Sequence, residues 1–176
     1  RVKAFQARGG IVVADENLPP AIKPDVLIPS YRRVGRADED KRALVALAGQ
    51  LRKALDGRYT RRVDSSEPDV IPYLRRAKQT DYVFLVNDRR EYGQYVGQHG
   101  IVMENGLPSK AEVSLTRRAG YVYDLVDHRA LASVSRGERL GVPVDLGPGD
   151  GRLLMVTDQP IAGVRLAVPE RVARGS

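Results

Sequence analysis

After Gly57 the apolar residues stop recurring every three or four positions and begin to recur at every second one. That change of period constrains the fold more than any other feature. Side chains alternate between the faces of a strand, whereas on a helix they return to one face after about 3.6 residues. Seven segments have strand composition: DVIPYLRRA, DYVFLVND, AEVSLTR, YVYDLV, ERLGVPVDL, GRLLMVTD and AGVRLAV, each bounded by Gly, Pro, Asn or Asp. In RLGVPVDL, Leu140, Val142, Val144 and Leu146 alternate with smaller or polar residues, which predicts one buried face. Val164, Leu166 and Val168 alternate with Arg165 and Ala167 in the same way. Strands at this spacing, with no helix between them, predict an antiparallel β-sandwich over 59–170 and a short tail over 171–176. Pro143 has no N–H to give a ladder, so it predicts an edge or a bulge at that point.

Before Gly57 the period is helical. Leu44, Leu47, Ala48, Leu51, Ala54 and Leu55 make one apolar stripe on an amphipathic helix, with Asp38 as its expected N-cap. Such a stripe predicts packing on the chain's own protein, and the segment 38–58 is expected to bridge what lies on either side. The opening, RVKAFQARGGIVVADENLPP, predicts a short helix carrying Val2, Ala4 and Phe5, stopped at Gly9-Gly10. IVVAD then reads as a strand buried on both faces, as in a parallel sheet. Pro19, Pro20, Pro24 and Pro29 predict an irregular connector. One helix and one strand do not make a doubly wound domain. Residues 1–37 are therefore expected to be the last helix, strand and Pro-rich connector of an α/β domain whose remaining strands lie upstream. The chain opens at Arg1 rather than Met, as expected of a processed chain, one lacking its start, or a piece of something longer.

Composition narrows the function. With 176 residues, 42% hydrophobic and 29% charged, the chain suits one domain, or one domain and part of another. Cysteine is absent, which excludes disulfides, thiolate catalysis and cysteine-based metal sites. No run of 18 apolar residues exists to span a bilayer as a helix, and no signal-peptide pattern opens the chain, so the compartment stays open. The net charge of +7 invites a nucleic-acid reading. Yet the basic residues are scattered as pairs, such as Arg61-Arg62 and Arg117-Arg118, and an arginine-rich coding bias gives the same balance. Nucleic acid is therefore a disfavoured partner.

The stretch YVFLVNDRREYGQYVGQHG, residues 82–100, concentrates the chemistry. In one reading, Asn87 and Asp88 end a strand with a side-chain-to-backbone turn, and the tyrosines cover the end of the core. In a second, Tyr92, Tyr95 and His99 form a sugar-stacking platform while Asn87, Asp88 and Arg90 bond to hydroxyls. A third makes the stretch a domain interface. The two histidines, His99 and His128, lack metal-ligand spacing, so no metal site is expected. Ser133 or Ser135 with His128 and Asp124 would make a triad on paper, without the G-x-S-x-G elbow. Asp145, Asp150 and Asp158 sit where turns ordinarily want Asp. GPGDG at 147–151 reads as a hairpin turn, since it lacks the Lys-Ser/Thr of a phosphate loop. No cofactor is implied.

Several of these segments resemble a known arrangement. VPVDLGPGDGRLLMVTD, YVYDLVDHRAL and VIPYLRRAKQTDYVFLVND are similar to strands of C-terminal β-sandwich domains in glycoside hydrolases. AFQARGGIVVADE resembles the end of the glutamine-amidotransferase-like α/β domain that precedes such a sandwich in trimerising-type beta-galactosidases. The resemblance implies a non-catalytic accessory domain in the C-terminal part of a larger bacterial protein. The catalytic glutamates of such proteins belong to an upstream barrel, so no catalytic residue carries over. Its implied partners are the upstream domains of the same polypeptide, with carbohydrate as the alternative. It tilts the compartment towards the periplasm or the exterior.

Overall fold

The computed structural model describes residues 1–19, 21–97, 101–163, 165 and 167, and of residues 101 and 102 the backbone alone. Of the expected strand AGVRLAV, residues 162, 163, 165 and 167 are described and are not in a strand, and 164, 166 and 168 lie outside the described residues.

The opening helix, α1 (Val2–Ala7), forms as expected and stops at Gly9, whose φ of 83° lies in the left-handed region that glycine tolerates. Gly10 is needed for a different reason. A Cβ there would fall 2.2 Å from the Phe5 ring, which folds back against the turn. β1 (Val13–Asp15) pairs in parallel with β2 (Val26–Ile28). The proline-rich connector thus contains a second strand, which three residues among prolines gave no periodic sign of. The pair is not buried on both faces: Val13 is 37% and Leu27 62% exposed. The long helix, α2 (Ala37–Leu55), starts with Arg36 at the N-cap and no side-chain cap, rather than at a capping Asp38. No residue of α2 is buried. Leu47, Leu51 and Leu55 are half-buried, and Leu44 and Val45 are exposed. The expected packed stripe is therefore met only in part, because the sandwich surface opposite it offers Asp64 and Asp69 to its cations rather than an apolar face.

The remaining strands are β3 (Val63–Ser65), β4 (Val70–Ala77), β5 (Thr80–Asn87), β6 (Arg90–Val96), β7 (Ile101–Gly106), β8 (Ser109–Thr116), β9 (Tyr121–Asp124), β10 (Arg129–Leu131), β11 (Val134–Arg136), β12 (Arg139–Leu146) and β13 (Gly151–Thr157). The chain is mainly β, and its two larger sheets make the antiparallel sandwich that the period-2 pattern predicts. One sheet runs β10-β9-β13-β5-β4 and the other β11-β12-β8-β3, every neighbour antiparallel. Val83, Leu85, Val122, Leu154 and Val156 of the first meet Val113, Leu115, Leu140 and Val142 of the second in one core. All of them occupy alternate positions, which is how one face of each strand is removed from water.

Both strand prolines obey the missing-donor rule. Pro72 lies on β4, at the sheet edge. Pro143 lies beyond the short β11, which pairs only with residues 139–141 of β12, so that side of the strand is free. The GPGDG turn joins β12 to β13, with Gly149 at φ 62° and the Asp150 amide donating to the Gly147 carbonyl at 3.2 Å.

Candidate functional site

After the turn expected at Asn87 and Asp88, the chain forms a strand over Arg90–Val96. β6 and β7 pair antiparallel, with an irregularity between Tyr92 and Tyr95. Tyr and Val have strand propensity, but Arg90, Glu91, Gly93 and Gln94 break the apolar alternation that would have announced a strand. His99 lies outside the described residues.

The other five residues fall into two groups. Asn87, at the end of β5, is buried and fully engaged. Its amide nitrogen donates to the carbonyls of Leu107 at 2.8 Å and Gly147 at 2.7 Å. Its carbonyl oxygen accepts from the Arg89 amide at 3.1 Å and the Ser109 hydroxyl at 2.9 Å. One side chain thereby ties the end of β5 to the turns before β8 and after β12, leaving no hydrogen-bonding capacity for a ligand. Asp88, Arg90, Tyr92 and Tyr95 lie together along the hairpin, facing the start of α2.

Between α2, the hairpin and the turn before β4 lies an open cleft of about 640 Å³. Asp88, Arg90, Tyr92 and Glu104 line one side, and Asp40, Lys41, Leu44 and Val45 the other. Most of its charges are already paired. Arg90 reaches Glu104 at 2.6 Å and Asp88 at 3.2 Å, while Lys41 reaches Asp69 at 3.1 Å and Asp88 at 3.8 Å. The Lys41 ammonium also donates to the Asp88 carbonyl at 3.1 Å. One donor stays free: the buried Nε of Arg90 has no partner among the described residues. The Glu104 carboxylate, first, and Asp88 hold the Arg90 guanidinium more firmly charged than usual, against the cost of its desolvation.

The two tyrosine rings are covered by the protein's own cations. Arg36 lies over Tyr95 at 4.8 Å and Arg90 beside Tyr92 at 6.0 Å. The Tyr95 hydroxyl donates to Asp38 Oδ1 at 2.7 Å. That bond holds the Asp38 carboxyl below its usual range, while desolvation and the same carboxylate push the Tyr95 hydroxyl up. Asp38 therefore ties the hairpin to the helix instead of capping it.

The other sequence candidates are dispersed. Asp124 is buried, accepting from the Val126 and Asp127 amides at 2.9 and 3.1 Å. The Ser133 hydroxyl donates to the Gly120 carbonyl at 3.4 Å, and His128, at φ 53°, belongs to the turn between β9 and β10. Among the described residues no hydrogen bond joins these three into a relay. Asp145 pairs with Lys110, Asp150 with Arg152 and its own turn, and Asp158 with Arg117. Among the described residues no group of three or more His, Cys, Asp or Glu side chains is placed to hold a metal ion. No described helix is long and apolar enough to cross a membrane.

The sequence did not single out the buried Asp81, which accepts from Arg76 at 2.6 and 3.0 Å and from Arg117 at 2.9 Å. Desolvation raises its affinity for a proton, but the two guanidiniums outweigh this and hold the carboxyl below its ordinary 3.8. It fastens one end of the sandwich.

These features define an antiparallel β-sandwich with a charge-paired cleft between a helix and an added hairpin. No protein-family model and no curated protein sequence matches the chain. Among solved structures, the alpha-L-fucosidase isoenzyme 2 from Paenibacillus thiaminolyticus is similar over 70% of this chain, at 17% identity and a TM-score of 0.46. The chain spans 19% of that protein's length. The likeness is one of fold at most, and identifies neither a family nor a site.

Proposed function

We propose that the chain is a non-catalytic accessory β-sandwich of a larger, glycoside-hydrolase-like polypeptide, and that its work is to pack on the neighbouring domains. The observation that carries this reading is the uncovered α/β portion. Parallel strands occur in sheets covered on both faces, yet β1 and β2 stand as a pair with Val13 and Leu27 exposed. Phe5, Leu44 and Val45 of the adjoining helices are also open to water. Of the described residues 1–55, Val26 alone is a buried hydrophobic residue. A layer of this kind buries its apolar side chains only when further elements of the same domain lie against it. The test is the intact mass of the natural gene product in its own cells, detected with an antibody to this region. A mass several-fold above 19.4 kDa is the expected result, and a mass near 19.4 kDa would remove the reading.

Carbohydrate binding is the second reading, supported by the cleft itself. Its volume suits a small ligand, and Asp88, Arg90 and Glu104 offer the planar polar groups that hydroxyls need. Calorimetric titration of the chain with neutral mono- and disaccharides tests it. Saturable heat that disappears in Tyr92→Ala supports this reading, and absence of heat at millimolar sugar eliminates it.

A further inference from the structure

The two outer faces of the sandwich differ in kind. On the four-stranded sheet most outward side chains are polar and paired, Val134 and Pro143 apart: Lys110 with Asp145 at 3.1 Å, Arg136 with Glu112 at 2.6 Å, and Arg139 with Ser114 at 2.8 Å. That face is built for water. On the five-stranded sheet the register aligns Ile71 with Val86, Tyr73 with Phe84, and Arg75 with Tyr82. Leu153 continues the Phe84 row, and Met155 and Tyr123 continue the Tyr82 row. Ile71, Tyr73, Phe84, Val86 and Tyr121 are between 43% and 52% exposed. Arg75 is the one charged side chain in these rows, and among the described residues no carboxylate pairs with it. It lies over the Tyr73 ring at 4.9 Å.

A covered aromatic ring contributes about 150–250 Å², so three half-exposed rings and their aliphatic neighbours leave roughly 500–600 Å² of apolar surface open. That is at the top of what a monomer ordinarily leaves in one patch. It also matches one side of a contact between domains of one chain, which totals about 600–1,500 Å², and falls well short of an obligate dimer. We propose that this face docks a separately folded domain of the same polypeptide, apolar at its centre and carrying a carboxylate opposite Arg75. The proposal rests on the reading that the chain belongs to a larger protein.

Two other occupants fit less well. A second copy would bring another +7 chain and offer no carboxylate on this face to Arg75. A sugar needs a flat platform with polar groups around it. Here the Tyr73 and Phe84 rings, 6.4 Å apart, are tilted by 51° and form no flat platform.

The experiment places the photoreactive residue p-benzoylphenylalanine at Tyr73, and separately at Phe84, in the full-length natural gene product. Adducts formed on illumination are then mapped by mass spectrometry. Both positions are exposed, so neither replacement disturbs the core. The expected result is an intramolecular adduct from each position to a segment outside these 176 residues, with its yield lowered several-fold by Arg75→Glu. Adducts to a second copy, adducts to residues 158–176, or no adduct in a gene product of large mass would each overturn the docking face alone. A gene product near 19.4 kDa would overturn the parent reading as well, and the mass distinguishes the two failures.

Discussion

Two buried polar side chains show how single residues settle this fold. Asn87 satisfies two carbonyls, an amide and a hydroxyl drawn from three separate turns. Asn87→Ala strands those groups in a buried place, so the expected loss is about 2–3 kcal/mol of unfolding free energy. Asn87→Asp loses as much, because a carboxylate cannot donate to the Leu107 and Gly147 carbonyls. Urea unfolding measures both; a change under about 0.5 kcal/mol in either variant would show that the knot is dispensable. The sequence marked Asn87 as polar chemistry at a strand end. It carried no sign of burial, since the partners lie up to 60 positions away. Asp81 adds a pH dependence. Its folded carboxyl binds protons more weakly than the unfolded one, so its stabilisation is present above about pH 3.8 and is lost as the pH falls through the lower folded value. The melting temperature is expected to drop as the pH goes from about 5 to 2. Asp81→Asn should flatten that acid limb while costing about 2 kcal/mol at neutral pH, less than a fully buried pair because Arg76 is half in water. Parallel acid limbs in both proteins would assign the effect to other carboxylates.

Among the elements, the long strands and the long helix were legible because each is periodic over enough residues to outvote its irregular positions. Of the short strands only β1 and β9 were, within IVVAD and YVYDLV. β2, β3, β10 and β11 have three residues each, too few to display a period, and β6 carries its tyrosines among charges and a glycine. Such segments become strands because a longer neighbour offers an unpaired ladder edge, which is a tertiary cause. The cleft was hidden for the same reason. Asp88, Arg90, Tyr92 and Tyr95 are close in sequence, but Asp38 and Lys41, which complete their surroundings, come from a helix some 50 residues earlier. The Tyr95–Asp38 bond is the point at which hairpin and helix meet through a single hydroxyl. Tyr95→Phe is expected to speed amide exchange in Arg90–Val96 and in the first turn of α2, and to shift the sandwich melting temperature by no more than about 1–2 °C. Unchanged exchange in the hairpin would mean that the Arg36 stacking, not the hydroxyl, holds it.

At the scale of the whole molecule, the chain is divided between a part that buries its apolar side chains and a part that does not. The sandwich encloses its core between two sheets, with Leu85, Val113, Leu115, Leu140, Val142 and Leu154 all essentially removed from water. Each such side chain contributes about 1.5–3 kcal/mol. The described residues before β3 have Val26 as their one buried hydrophobic residue. Their other ties are polar: Gln6 to Asp25 at 3.0 Å, Asp25 to the Val12 amide at 2.8 Å, and α2 to the sandwich through Lys41–Asp69 and Arg52–Asp64. Partly exposed ion pairs of this kind contribute about 1 kcal/mol each and weaken in salt, so they cannot match the core. The two parts should therefore come apart separately. In urea, amides of α1, β1, β2 and α2 are expected to lose exchange protection well before those of β5, β8, β12 and β13, and 0.5 M NaCl should advance only the first transition. In a larger parent polypeptide, where other elements would cover Val13, Leu27 and the stripe of α2, the early transition should move up towards the second. Coincident loss of protection across all eight elements in the isolated chain would show that the polar ties couple the parts fully, and would take away the incompleteness on which the accessory-domain reading depends.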